Sequence, residues 1–407
     1  MNVLYLSYDG MTDPLGQSQV IPYLRGLTKL GYRFTLLSFE KPERYKKDGE
    51  FIAMLLQNAG IEWQPLMYTK RPPVLSTLYD AYRMSKLAFA LHRKKRFSIV
   101  HCRSYISALI GQQLKRKAGV RFVFDMRGFY ADERVDGGIW NLRNPVYRAV
   151  YNYFKRKEKE FLLDADHIIS LTYAACNQLQ SRHLRNVDLP ITVIPCCADL
   201  ELFNGATIAT EKKKELKAQL GIGENTFVLG YLGSIGTWYL PNEMMDFFKC
   251  LLQQRPDACF LFITTEPRDY LLKLALERGI PSEKIIKVTA THTGVPAYLS
   301  LCDWSIFFIK PVFSKMASSA TKQGEIMGMG IPHVCNSGIG DISSILKNGQ
   351  SGIAISGFDT ATYKVAIHTM LTQKFNPAEI RANALHFYAL ESGIKTYAGV
   401  YAEVNKR

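Results

Sequence analysis

Along the chain, short apolar runs alternate with longer stretches in which one face is apolar. NVLYLSY (2–8) reads as a strand, and the Gly- and Pro-containing loop DGMTDPLG (9–16) follows it. A helix comes next, with Val20, Leu24, Leu27 and Leu30 on one face, and Gly31 ends it. Further strand-like runs lie at 33–39, 97–102, 121–126, 167–172 and 191–197. After a charged helical stretch at 211–220 the series restarts at 227–234, 259–265, 285–290, 304–309, 331–336 and 351–356. Strands alternating with helices predict parallel α/β sheets, here as two doubly wound domains, 1–200 and 201–386, facing across a cleft. The apolar segment 385–404 reads as one terminal helix, with 387–407 packing back on the first domain. Ligands of such sheets bind outside the carboxyl ends of the strands.

Composition narrows this picture. With 407 residues, 47% hydrophobic and 21% charged, the chain is an ordinary globular protein too long for one core. No apolar run is long enough for a membrane span, and the N-terminus reads as a strand rather than a leader. Eight scattered cysteines without a C-x-x-C pair fit reduced thiols and a cytoplasmic location. Residues 1–190 carry 30 Lys and Arg against 17 Asp and Glu, a net of +13, whereas the remainder carries 21 against 19. A basic first half attracts anions, and no nucleic-acid motif is present. An anionic membrane surface or a pyrophosphate-linked acceptor is therefore expected before DNA or RNA, with the protein peripheral on the membrane's inner face.

The stretch SSATKQGEIMGMGIPHVCN (318–336) sits between two strand-like runs, at a strand's carboxyl end. Ser318, Ser319 and Thr321 are N-cap residue types, and with the Lys322 ammonium they suit a phosphate at a helix start. Glu325, one turn in, suits a ribose diol. From the helix alone it equally reads as offsetting the dipole and pairing with Lys322 at i, i+3.

This stretch resembles the donor-binding segment of GT-B glycosyltransferases of family 4, E-x-M-x-x-G-x-P-V. Glu325, Met327, Gly330, Pro332 and Val334 match it, and His333 departs from it. VIPCCADLELF (193–203), DADHIISLT (164–172) and NGQSGIAI (348–355) resemble further family segments in the family's order. The resemblance implies the GT-B fold of two Rossmann-like domains. It implies a retaining transfer of sugar from a nucleotide-diphosphate donor to a glycan or lipid-linked hydroxyl, as in cell-surface polysaccharide synthesis. It places Glu325 on the donor ribose and the diphosphate at the helix start. Two departures stand out. Ala317 occupies the place of a sugar-reading Glu, and Ser234 and Tyr239 occupy the places of an Arg and a Lys that neutralise the diphosphate. Lys310, Lys315 and Lys322 are the lysines near enough in sequence to take over that task.

In the first half, Gly16 would let a phosphate or sugar approach the backbone. The absence of G-x-G-x-x-G weighs against a dinucleotide oxidoreductase. FDMRGFYADERVDGGIW (124–140) resembles the acceptor-side D-x-R-G loop of polysaccharide-building members. Asp125, Arg127, Phe129, Tyr130 and Glu133 are its candidates, with Arg127, Glu133 and Glu325 expected at the reacting groups. The alternative for this loop is an Arg–carboxylate knot. Asp164-Ala165-Asp166 spells a metal-binding triplet, but a helix end entering a strand is the better reading. No essential metal or cofactor is expected. A nucleotide-sugar epimerase on the same plan, and a non-catalytic nucleotide-sugar or lipid binder, stand as rivals.

Overall fold

The computed structural model describes residues 1–406, the side chains of residues 347–349 excepted, so the first two side chains of the NGQSGIAI turn lie outside it. The chain divides into two compact units. One comprises residues 1–195 and the C-terminal helix Leu390–Lys406; the other comprises residues 196–389.

The first unit is built on β1 (Asn2–Ser7), β2 (Arg33–Glu40), β3 (Glu62–Met67), β4 (Ile99–Arg103), β5 (Arg121–Asp125), β6 (His167–Ser170) and β7 (Ile191–Val193). They form a parallel sheet in the order β3-β2-β1-β4-β5-β6-β7. Its central strands are buried along almost their whole length, because helices cover both faces of a parallel sheet. β3 is the strand that the apolar pattern does not announce. EWQPLM carries Glu62 and Pro65, and only an edge strand tolerates a proline that lacks a ladder N–H.

The second unit holds β8 (Val228–Leu232), β9 (Cys259–Ile263), β10 (Ile285–Val288), β11 (Trp304–Phe307), β12 (His333–Asn336) and β13 (Gly352–Ile355). Their order, β10-β9-β8-β11-β12-β13, repeats that of the first six strands. All the pairings are parallel. Strand order reverses between β1 and β4, and again between β8 and β11, and a doubly wound sheet opens its ligand crevice at that point.

The expected single helix over 385–404 is two. Pro377–Tyr388 ends at Ala389, whose backbone is extended (φ −62°, ψ 126°), and Leu390–Lys406 follows. Ala389 bridges Ala198, whose N–H donates to the Tyr388 carbonyl at 2.9 Å. The last helix packs on Ile21–Lys29, where a Cβ on Gly26 would lie 2.2 Å from Ile394. Its inner face is fastened by polar contacts as well. The Tyr401 hydroxyl is 2.7 Å from His101 Nδ1, and the Tyr397 hydroxyl donates to Asp125 at 3.2 Å.

All eight cysteines are free thiols, and no helix among the described residues is long and apolar enough to cross a membrane. Asp164 and Asp166 have separate partners, Arg116 at 2.6 Å and Lys115 at 2.7 Å. Among the described residues no three His, Cys, Asp or Glu side chains are grouped as a metal would need.

Candidate functional site

At the switch point of the second sheet, two loops are stitched together. Asn336 at the end of β12 accepts the Ile309 N–H at 2.8 Å and donates to the Ile309 carbonyl at 2.9 Å. The Lys310 N–H donates to the Trp238 carbonyl at 2.8 Å, and the Leu240 N–H donates to the Phe308 carbonyl at 3.0 Å. The segment after β8 is thereby held beside the segment after β11. Gly233, with φ of +96°, lets the first loop turn where a side chain would press on the Lys322 ammonium 3.4 Å away.

The helix Thr321–Gly328 starts from this junction. Its glycines are packing requirements. A Cβ on Gly324 would meet Tyr388 at 2.9 Å, and one on Gly328 would meet Leu200 and the Phe203 carbonyl at 2.7 and 2.8 Å. Arg381 closes the other end, donating to the carbonyls of Gly328 (2.5 Å), Phe203 (2.8 Å) and Leu200 (2.8 Å). The expected serine and threonine caps are absent. Ala320 holds the cap position without a side-chain bond, and Ser319 instead accepts the Cys196 N–H at 3.1 Å. No side chain caps the first turn, where the Gln323 N–H donates to the Ala320 carbonyl at 2.9 Å.

Lys322 is only 7% exposed. Its ammonium lies 3.6 Å from the ring centroid of Tyr239 and 4.2 Å from that of Tyr231, and it donates to the Tyr231 hydroxyl at 3.1 Å. That hydroxyl in turn donates to the Ser234 carbonyl at 2.7 Å. Burial pulls the Lys322 pKa well below that of an ordinary lysine, with Glu325 opposing. Lys322 and Glu325 make no ion pair, so the i, i+3 pairing is not formed. A lysine desolvated at the positive end of a helix costs stability twice over, and an arriving anion offsets both costs. Lys315, also buried, sits 3.6 Å over the Trp238 ring, whereas Lys310 is exposed. Ala317 is buried, and Ser234 is exposed on the loop after β8.

Glu325 is partly buried, and its carboxylate faces His292 Nε2 at 3.5 Å. The hydrogen bond that His292 donates to Glu325 raises its pKa above the ordinary imidazole value. His292 follows β10 in THTG, and the Phe203 ring meets it edge-on at 5.4 Å. Sequence reasoning missed this partner because a histidine in a polar loop carries no periodicity.

In the first unit several expectations need correction. A Cβ on Gly16 would lie 2.2 Å from the Gly10 carbonyl, so this glycine is required by the close packing of its own loop. The helix it belongs to, Pro14–Gln19, is too short to present an anion site. The loop is fixed by Glu40, a buried carboxylate missed in the sequence, which accepts the N–H groups of Met11 (2.8 Å) and Thr12 (3.0 Å). Asp125 is fully buried and bonded to Tyr397, with His101 Nε2 at 3.4 Å and Arg127 at 3.8 Å. Burial alone would raise its pKa, but Arg127, His101 and Arg103 outweigh that and hold it below the usual carboxylate range. It anchors the fold and offers nothing to a sugar. Phe129 is fully buried under Arg182 and has no face for a sugar ring. Tyr130 is stacked on Tyr105 at 5.3 Å with Arg134 over its ring at 5.0 Å. The charged loop is in fact a short helix, Tyr130–Asp136, with Glu133 half-buried on it. Arg127 keeps a left-handed backbone (φ +59°), a strained geometry that gathers at functional sites.

Comparison with known proteins agrees with this fold. Residues 18–202 match the profile described as Glycosyltransferase Family 4. D-inositol 3-phosphate glycosyltransferase 1 of Catenulispora acidiphila is 24% identical over 308 residues, covering 72% of this chain and 68% of that one. Sucrose-phosphate synthase from Thermosynechococcus elongatus superposes with a TM-score of 0.73 at 14% identity, covering 99% of both chains. Anabaena Alr3699/HepE, solved with UDP and glucose, superposes with a TM-score of 0.70 at 13% identity, also covering 99% of both. Residues 18–202 are thus similar to glycosyltransferase family 4, and the chain is a glycosyltransferase of the GT-B fold.

Proposed function

We propose that the protein moves a sugar, with retention of configuration, from a nucleotide-diphosphate donor to a hydroxyl of a glycan or lipid-pyrophosphate-linked acceptor in cell-surface polysaccharide assembly. The observation that carries the donor half is the buried Lys322 ammonium at the uncapped start of the Thr321–Gly328 helix, one turn from Glu325. The UDP-bound neighbour supports a nucleotide-sugar donor, and relatives named for inositol 3-phosphate support an anionic acceptor.

In this reading the diphosphate lies against the helix start. Lys322 and the first-turn N–H groups stabilise the charge that grows on it as the glycosidic bond breaks. Glu325 accepts hydrogen bonds from the ribose diol. The departing phosphate takes the acceptor proton, so neither a dedicated base nor a metal is required. Arg127 and Glu133 are proposed on the acceptor side, and the basic first half favours an acceptor at the cytoplasmic membrane surface.

Thermal unfolding against a panel of UDP-, GDP- and CMP-sugars tests the reading, because a bound donor raises the midpoint by mass action. One nucleotide class should shift wild type, and that shift should be much smaller in Glu325→Ala. If none of the panel shifts wild type, the donor assignment fails. Transfer that EDTA abolishes and magnesium or manganese restores would overturn metal independence.

A further inference from the structure

The helix Leu75–Lys95 carries an apolar stripe on its outer face. Leu75, Leu78, Tyr79 and Tyr82 are 63, 57, 55 and 62% exposed. They recur at spacings of three and four, so they lie along one side, while Ser76, Asp80, Met84 and Ala88 face inward. Scattered exposed apolar residues need no explanation, but four large ones in a row form a docking patch.

The charges around the stripe are almost all of one sign. Residues 70–96 contain eight Lys and Arg and a single acid, Asp80. Asp80 is fully buried, accepting from the Thr69 N–H (3.0 Å), the Thr69 hydroxyl (2.8 Å) and the Tyr8 hydroxyl (3.2 Å). Lys70, Arg71, Lys86, Arg93 and Lys94 remain exposed. Leucine and tyrosine beside lysine and arginine, without an exposed acid, is the composition of a helix that lies in a lipid interface. A second copy of the chain would bring like charges together, whereas anionic headgroups complement them.

The placement adds a reason. Through Asp80, the start of this helix is tied to the segments that follow β1 (Tyr8) and β3 (Thr69), the carboxyl ends of the first sheet. A helix seated on a bilayer there would hold the acceptor-side end of that sheet at the lipid surface.

We propose that Leu75–Lys95 docks the protein on an anionic bilayer, with the Leu75–Tyr82 stripe in the headgroup region and the lysines and arginines on lipid phosphates. The inference rests on the reading of a membrane-borne acceptor. Co-sedimentation of the full chain with phosphatidylcholine vesicles, with and without phosphatidylglycerol, tests it. Wild type should bind only the anionic vesicles, and less so as salt rises. Leu78→Glu/Tyr82→Glu and Lys86→Glu/Lys94→Glu should each weaken partitioning by about tenfold or more while leaving the donor-induced thermal shift intact. Equal binding by wild type and both variants, or no binding by wild type, would overturn the proposal. So would a dimer seen by light scattering that Leu78→Glu/Tyr82→Glu dissolves. A missing donor shift in wild type would instead sink the donor assignment and leave the vesicle result standing on its own.

Discussion

The ammonium of Lys322 lies 3.6 Å from the ring centroid of Tyr239, and Tyr239 stands where family resemblance leads one to expect a lysine. The loop after β8 carries no cation of its own and shelters one supplied by the helix. A cation over desolvated aromatic faces is held by about 2 kcal/mol or more, which keeps an ammonium in place without a neutralising carboxylate. Lys322→Ala should therefore weaken donor binding and turnover by about tenfold or more. Tyr239→Phe keeps the ring face and should stay near wild type, whereas Tyr239→Leu should behave like a milder Lys322→Ala. The double variant Tyr239→Lys/Lys322→Ala should recover part of the loss by returning the charge to the loop. Calorimetric titration with the nucleoside diphosphate checks all four. Equal affinity in wild type and Lys322→Ala would remove the ammonium from the diphosphate site.

Glu325 gives a second prediction, independent of charge at the diphosphate. If its carboxylate holds the ribose diol, removing either partner costs the same hydrogen bond. Glu325→Ala and a 2′-deoxy donor should each lose about 1.5–3 kcal/mol of binding, the range for a hydrogen bond to a charged group. Combined, they should lose little more than either alone. Additive losses in that double cycle would place the carboxylate elsewhere.

The helix in residues 318–336 was legible in the sequence, but the reason for its glycines was not: they pack against Tyr388, Leu200 and Phe203. Parallel strands are legible because burial on both faces writes them as continuous apolar runs. β3 escaped because an edge strand is half solvent-facing and carries Pro65. The helix break at Ala389 escaped because neither proline nor glycine marks it; its extended backbone and pairing with Ala198 are tertiary. Within the candidate site, the sequence puts Lys322 and Glu325 on one helix, and the structure agrees. Tyr231 comes from β8, Tyr239 from the loop after it and His292 from the loop after β10, and no local pattern joins residues that distant. Asp125 and Phe129 misled for the converse reason. A charged, aromatic segment following a strand looks alike whether it faces solvent or folds into a buried network.

His292 and Glu325 make a pH-sensitive pair. The His292 pKa is raised above its unfolded value near 6.5, so its contribution is present below that pH and is lost as pH rises through the folded value. His292 is 53% exposed, so solvent screening keeps the effect within about 1 kcal/mol. Wild type should unfold at a slightly higher temperature than His292→Gln at about pH 6 and at the same temperature at about pH 9. A gap of constant size across that range would show that charge pairing does not contribute.

Buried imidazoles predict a larger loss of stability in acid. Burial pushes the pKa of His333 down to about 3, and the pKa values of His101 and His92 are lowered chiefly by burial too. The unfolded chain therefore takes up protons near pH 6.5 that the folded chain refuses, so stability falls as pH drops below about 6.5. Asp125, whose folded pKa is lowered, adds its own loss only further down, below about pH 4. His333 is fully buried and stacked on Phe307, with ring centroids 5.5 Å apart, at a place where the family pattern has valine. His333→Val leaves a small cavity, which costs stability at every pH, but it removes one proton-refusing site. Urea unfolding between about pH 8 and pH 5 should show a steeper decline for wild type than for His333→Val, the two curves converging or crossing in acid. Parallel curves would mean that His333 takes up its proton within the folded state and that the acid sensitivity arises at other groups.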